Sequence, residues 1–259
     1  MGSVVATNVA SLGAQKSLFR TNNNLSTTFS RLSSGFRINS AKDDASGLVI
    51  SNQLTTEIGG SQAALRNAND GISYAQVAEG ALQEVTNILL RMRDLSISAS
   101  SGQVPTAGVA AIEAEYTALD SEIDRIVSNT TFGGTAVFNT TVNIVVEADG
   151  GSIAVAVADG AAFGPGGTAA NGPALVDAQI TAVDTARGAL GASQSRLTSA
   201  ANNLLSGIEA SSAARSRIRD TDFATETANL AKFQVLQQAS FSVLAQANAS
   251  SQSVLSLLR

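Results

Sequence analysis

From Val176 to Ile218 the chain keeps an alternating four-three step: Val176, Ile180, Val183, Arg187, Leu190, Gln194, Leu197, Ala201, Leu204, Ile208, Ser211, Arg215 and Ile218. Residues at this spacing share one helical face, and a mean repeat of 3.5 is the pattern of helices wound about one another. A long helix of this kind depends on tertiary packing of its apolar face, so it predicts a bundle. Arg187 and Gln194 interrupt the stripe and read as edge positions or register devices.

The partner helices are sought nearer the N-terminus. Val5, Val9, Leu12, Lys16 and Phe19 step by four and three. Asn22 to Asn24 then predict a polar break, after which the stripe resumes out of phase at Leu25, Phe29, Leu32 and Phe36. Leu82, Val85, Leu89, Met92, Ser96 and Ala99 hold the same rhythm. Gly102 with Pro105 marks a turn, and Ile112, Tyr116, Leu119, Ile123 and Ile126 predict a shorter helix. At the other end Asp222 reads as a helix N-cap with Glu226 in the first turn. There Phe233, Leu236, Ser240, Val243, Ala247, Ser251, Val254 and Leu258 form a stripe, widened by Leu230, Phe241, Leu244, Leu255 and Leu257.

Residues 132–173 break the helical character. "VNIVVEADGGSIAVAVADG" alternates apolar with small or polar residues about Gly-Gly, which predicts a β-hairpin, and "AAFGPGGTAANGP" reads as loop. The expected fold class is mainly α, a long coiled-coil-like bundle with paired terminal helices and a small central β-hairpin.

Nine Phe, two Tyr and no Trp in 259 residues are too few to build a thick core, so burial is expected as thin helical stripes. Two terminal helices cannot cover both of their own broad apolar faces, and part of each is expected to seek other molecules. The formal charge of −5 and the lack of any basic run exclude nucleic acid as an expected partner. With no Cys and no His there is no thiol nucleophile, disulfide, imidazole base or imidazole metal ligand. We expect no enzyme activity and no cofactor. The N-terminus carries no signal-peptide pattern or myristoylation motif, and the longest unbroken apolar run, Ile153 to Ala158, is far too short for a membrane span.

Two polar joints interrupt the helical patterns: "RLSSGFRINSAKDDASG", Arg31 to Gly47, and "ARSRIRDTDFATE", Ala214 to Glu226. The first carries Arg31, Arg37, Lys42, Asp43 and Asp44; the second carries Arg215, Arg217, Arg219, Asp220 and Asp222. Charge-assisted hydrogen bonds between such groups set register more than they add affinity.

"RLSSGFRINSAKDDASGLVISNQL", "NANDGISYAQVAEGALQEVTNILLRMRDLSISA" and the stretch from "LGASQSRLTSAANNLLSGIEASSAARSRIRDTDFATE" to the closing "LLR" closely resemble the terminal regions of bacterial flagellin. The resemblance covers nearly all of residues 1–132 and 175–259. It implies a structural subunit that polymerises head-to-tail into the flagellar filament and serves motility. Residues 1–45 and 219–259 would form the inner core with its spokes, 46–131 and 174–218 the outer core, and 132–173 a surface-exposed variable region. The charged joints correspond to the spokes. The implied inner-core interface comprises Val5, Val9, Leu12, Phe19, Phe233, Leu236, Val243, Leu244, Val254 and Leu258.

Further implications are export through the flagellar type III route without a cleaved signal peptide, an extracellular location, and an export chaperone, a filament cap protein and a hook-junction protein as partners. "LLRMRDLSIS" resembles the flagellin segment recognised by Toll-like receptor 5, with Leu89, Arg91 and Leu95 at matching places and Glu115 on the next helix; Ser96 and Ser98 depart from it. Thr140 and Thr141 are candidates for O-linked sugar, whereas the Asn-x-Ser/Thr triplets at Asn129 and Asn139 read as chance in a Ser/Thr-rich chain. Two rivals are the hook-filament junction protein, similar at both ends, and a helical signalling hairpin.

Overall fold

The four-three stripe of residues 176–218 lies on one helix, α4 (Pro173–Arg219). A computed structural model describes residues 7–158, 160, 163–169 and 173–256, the side chains of 251–256 excepted. The other helices are α1 (Val9–Ser34), α2 (Ala45–Ser100), α3 (Thr106–Asn129) and α5 (Phe223–Ser256). At 1.5 Å per residue, the 56-residue α2 extends about 84 Å. None of the described helices is long and apolar enough to cross a membrane. The chain divides into two compact units, residues 57–210 and residues 1–56 with 211–259.

In the 57–210 unit the predicted stripes meet. Val176, Val183, Leu190 and Leu197 of α4 are completely buried, as are Leu82, Val85, Leu89 and Met92 of α2. Between them Ala68, Ala75 and Ala78 are also inaccessible, and such small side chains let helix backbones approach closely. Tyr116 and Ile123 carry α3 into the same core. Arg187 and Gln194 both turn to Glu79 on α2: Gln194 Nε2 donates to Glu79 Oε2 at 3.1 Å and Arg187 Nη2 lies 3.9 Å from Oε1. The two interruptions therefore share one carboxylate and fix the sliding position of α4 on α2.

The central segment forms the predicted hairpin, β3 (Thr141–Val145) antiparallel to β4 (Ser152–Ala156), with Val142 opposite Val155 and Ile144 opposite Ile153. These pairs face the core, while Thr141, Asn143 and Val145 point outward. A second, shorter hairpin joins β1 (Thr131–Phe132) to β2 (Thr135–Ala136) through Gly133–Gly134, whose φ angles of 59° and 83° suit a type I′ turn. Its two-residue strands are too brief for a periodic signal in the sequence.

Four of the eleven aromatic rings secure this segment. Phe132 stands edge-on to Tyr74 at 5.9 Å between ring centroids, and Phe138 to Phe163 at 6.3 Å. The buried Tyr74 hydroxyl donates to the Val137 carbonyl at 2.8 Å, tying the chain after β2 to α2. A carboxylate clasp holds the next loop: Glu113 Oε2 accepts from the Ala169 N–H at 2.9 Å. Two turns further along α3, Asp120 Oδ1 is buried without a hydrogen-bond partner among the described residues. Burial, and then the neighbouring Asp124 carboxylate, push the Asp120 carboxyl up, partly offset by the Gly166 N–H.

Two outcomes are expected for this unit. Tyr74→Phe leaves the Val137 carbonyl unpaired in the interior and lowers stability by about 1–3 kcal/mol in denaturant titrations, with the helix content retained. Asp120 is destabilising once ionised, because its folded pKa lies above its unfolded one. Asp120→Asn therefore raises the melting temperature at neutral pH, and that gain shrinks as pH falls through the raised folded pKa and is gone below the ordinary carboxylate range.

Candidate functional site

In the unit of residues 1–56 and 211–259, α1 and α5 lie antiparallel. Three cross-helix contacts give the register: Asn8 Nδ2 donates to the Ala247 carbonyl at 3.0 Å, Gln237 Nε2 to Asn22 Oδ1 at 2.8 Å, and Arg31 Nη1 lies 3.9 Å from Glu226 Oε1. The seam keeps a strict three-four step on α1 through Ser11, Ala14, Leu18, Thr21, Leu25, Thr28 and Leu32, all buried or half-buried. On α5 it runs through Glu226, Leu230, Phe233, Gln237, Ser240, Leu244 and Ala247. Such a step is a coiled-coil seam, here alternating small and hydroxyl side chains (Ser11, Ala14, Thr21, Thr28, Ser240 and Ala247) with large apolar ones (Leu18, Leu25, Leu32, Leu230, Phe233 and Leu244).

The seam corrects one sequence expectation. Asn22–Asn24 do not break the first helix, which continues from Val9 to Ser34. The seam passes beside the asparagines, and Asn22 is used as an acceptor for Gln237. Five of the residues expected at the subunit interface point away from the partner helix. Val9, Leu12 and Phe19 are 70%, 55% and 68% exposed, and Leu236 and Val243 are 42% and 57% exposed. Phe233 and Leu244 lie half-buried in the seam. Val5, Leu258 and the side chain of Val254 lie outside the described residues. Phe29, Val235 and Phe241, which the interface list omitted, are also more than half exposed.

The joints are built mostly from backbone. Gly35 closes α1 in the left-handed conformation, φ 76°, and its N–H donates to the Arg31 carbonyl. Beyond it the chain pairs with the second joint: Phe36 bridges Asp220, the Thr221 N–H donates to the Gly35 carbonyl at 3.0 Å, and the Arg37 N–H to the Arg219 carbonyl at 2.7 Å. Arg37 Nη2 adds a bond to the Ile218 carbonyl. The Arg219 guanidinium sits over the Phe36 ring, 4.2 Å from its centroid, a cation–π contact. Ile38 is buried under the joint, and a Cβ on Gly47 would come within 2.7 Å of its Cδ1.

The carboxylates serve as caps. Asp222 Oδ1 accepts from the Ala224 and Thr225 N–H groups at 2.9 and 3.3 Å, and the Thr225 hydroxyl donates to Oδ2 at 2.8 Å, so Asp222 caps α5. Asp44 Oδ1 accepts from the Gly47 N–H at 2.9 Å at the start of α2. Asp43 Oδ2 gathers the Ser40 N–H and hydroxyl, both at 3.0 Å, and the Asn39 N–H at 3.2 Å. Hydrogen bonds hold two of these carboxyls below their ordinary range, chiefly from Thr225 on Asp222 and from Ser40 on Asp43. Arg215 donates to Thr55, while Lys42 and Arg217 are exposed.

Of the ten expected spoke residues, Arg31 alone forms an ion pair among the described residues, and its partner Glu226 had been read only as a first-turn residue. The guanidiniums otherwise reach carbonyls, a hydroxyl and a ring. Phe36, Gly35 and Glu226 are the joint residues missed from the list. The glycine ending "LSSG" was the available signal, because a helix terminus at Gly commonly adopts the left-handed conformation.

In the other unit Arg91 pairs with Glu115, Nε and Nη2 lying 2.9 and 2.7 Å from Oε1, and both side chains are accessible. Leu89 is fully buried and Leu95 nearly so. Thr141 is exposed on β3, whereas the Thr140 hydroxyl donates to the Phe138 carbonyl.

Residues 5–143 match the bacterial flagellin N-terminal helical region and residues 174–258 the bacterial flagellin C-terminal helical region. Flagellin D of Vibrio anguillarum is 35% identical over 372 aligned residues, covering 98% of this chain and 99% of that protein. Flagellin C of Vibrio cholerae is 34% identical and polar flagellin B/D of Vibrio parahaemolyticus 33%, each with the same coverage. A crystal structure of Bacillus cereus flagellin is 26% identical, covering 63% of this chain and 93% of that one, with a TM-score of 0.42. These matches favour neither a junction protein nor a signalling hairpin. The chain belongs to the bacterial flagellins, a structural rather than catalytic family, and is a subunit of the flagellar filament, an extracellular appendage.

Proposed function

We propose that this subunit polymerises head-to-tail through the faces of α1 and α5 that their mutual seam leaves uncovered. The observation that carries the reading is the pairing of the two helices through one seam while Val9, Leu12, Phe19, Leu236 and Val243, off that seam, stay exposed. A contact between two different patches repeats without closing when its rotation does not close, which yields a helical filament. Val5, Val254 and Leu258 extend the same faces in sequence. Phe233 and Leu244 support the interface from within the seam.

The joints act as spokes that hold register, through the backbone bridge at Phe36 and Asp220 and the caps at Asp43, Asp44 and Asp222, with Lys42 and Arg217 free for contacts between subunits. Family resemblance supports export through the flagellar type III apparatus and partnership with an export chaperone, a cap protein and the hook-junction protein. Recognition by Toll-like receptor 5 would use Arg91 and Glu115, the accessible pair, with Leu89 and Leu95 shaping the helices beneath. O-linked sugar is proposed on Thr141, whose side chain is free of the fold, in preference to Thr140.

Electron microscopy of seeded assembly tests the central claim. A Phe19→Ser, Val243→Ser double variant loses about 1.5–3 kcal/mol of apolar burial per site. At about 1.4 kcal/mol per tenfold, its critical concentration rises at least about a hundredfold while its monomer circular dichroism stays native. Unchanged growth would refute the reading. For the joint, the depressed folded pKa of Asp222 means that its stabilising contribution is present above the unfolded value and lost as pH falls through the folded one. Asp222→Ala therefore lowers the melting temperature at neutral pH, and the gap to the parent closes below the ordinary carboxylate range.

A further inference from the structure

The backbone nitrogen that follows an aspartate can attack that residue's own carboxyl group. The attack is easiest when the following residue is glycine, which has no Cβ to block it and the widest choice of backbone angles. Three aspartates stand before glycine in this chain, Asp70, Asp149 and Asp159. Asp70 lies in the interior of α2, where the helix holds the Gly71 nitrogen in its ladder and Ile144 packs close over Gly71. Asp159, like Asn171 before Gly172, lies outside the described residues.

Asp149 stands in the turn at the tip of the β3–β4 hairpin. That turn is closed by one backbone bond, from the Gly150 N–H to the Glu147 carbonyl at 3.2 Å, the long end of the ordinary range. Gly150 has φ 101°, a conformation that glycine alone adopts freely. Ala148, Asp149 and Gly150 are all exposed. The Asp149 side chain makes no hydrogen bond or ion pair among the described residues, whereas Asp43, Asp44 and Asp222 are each tied to backbone N–H groups. The residue before it is docked: a Cβ on Gly60 of α2 would come within 3.0 Å of the Ala148 Cβ and 3.3 Å of its Cα.

We infer that Asp149–Gly150 is a site of spontaneous isoaspartate formation, and that the conversion lifts the hairpin tip from α2. The Gly150 nitrogen bonds to Asp149 Cγ and gives up its proton, and one carboxyl oxygen leaves as water, closing a succinimide ring. Water then adds at the ring's main-chain carbonyl and breaks its bond to the nitrogen. The chain now runs through the former side chain, with a free α-carboxylate beside it. Mass and charge are unchanged, and no enzyme, oxidant or cofactor takes part. The backbone has gained one methylene inside a turn that closes on Glu147. Ala148 has no room to move inward against Gly60, so the lengthened turn opens away from the helix.

The test holds full-length protein, as monomer and as filaments, for several weeks at physiological temperature and pH. Isoaspartate is counted by labelled methyl transfer from S-adenosylmethionine with an isoaspartyl methyltransferase, and placed by electron-transfer fragmentation of peptides. It is expected to accumulate at Asp149 in both forms while Asp70 stays silent. Asp149→Glu, which would have to close a six-membered ring, loses the signal at the tip. Asp149→Asn gains it several-fold faster and releases ammonia. Hydrogen exchange over residues 146–151 rises in the aged parent and not in aged Asp149→Glu. Isoaspartate absent from Asp149, or no more abundant there than at Asp70, overturns the site. Isoaspartate at Asp149 with unchanged exchange over 146–151 overturns the release of the tip.

Discussion

A helix in a two-stranded seam buries one stripe and leaves the rest of its circumference to find other cover. That constraint governs this molecule in two different ways. In the 57–210 unit α2, α3 and α4 surround one another, and the hairpin and its loop close over the remainder, so Leu82, Leu89, Leu190 and Leu197 are fully enclosed. In the other unit α1 has α5 alone as a long partner. Val9, Leu12, Phe19, Phe29, Val235 and Phe241 consequently remain outside the seam, more than half exposed.

The division of labour between small and large residues explains why the poverty of aromatics is no handicap. Alanine layers in α2 let helices approach closely and bury little area each. Five of the eleven rings secure irregular segments: Tyr74 with Phe132, Phe138 with Phe163, and Phe36 beneath Arg219. Charge is used similarly. Glu79, Glu113, Asp44 and Asp222 each answer a particular donor, while Asp120 keeps a buried oxygen to which none of the described residues donates.

The bundle was legible in the sequence because the period of its apolar residues reports directly which face is covered. The stripes of α2, α3 and α4 and the alternation of β3 and β4 were read in this way. The seam of α1 was legible only at Leu25 and Leu32, since Ser11, Ala14 and Thr21 carry no hydrophobic signal, and the louder pattern of Val9, Leu12 and Phe19 described a surface. At the joints, residue types disclosed that charge was present but not where it would go. Arginine hydrogen-bonds to carbonyls as readily as to carboxylates, and the positions of those carbonyls follow from the backbone turn at Gly35. Glu226 found Arg31 across 195 residues of sequence, a pairing set by the antiparallel register of α1 and α5.

That register has a consequence for the order of events. Asn8 meets Ala247 across a sequence separation of 239 residues, and every contact that positions α1 on its partner is of this long-range kind. A chain emerging N-terminus first would present α1 long before α5 exists to receive it. The 57–210 unit, whose partners are nearer in sequence, can close earlier, since loop-closure entropy delays distant contacts most. The first helix made is then the last to be housed, and the terminal unit becomes a record that the whole chain has arrived.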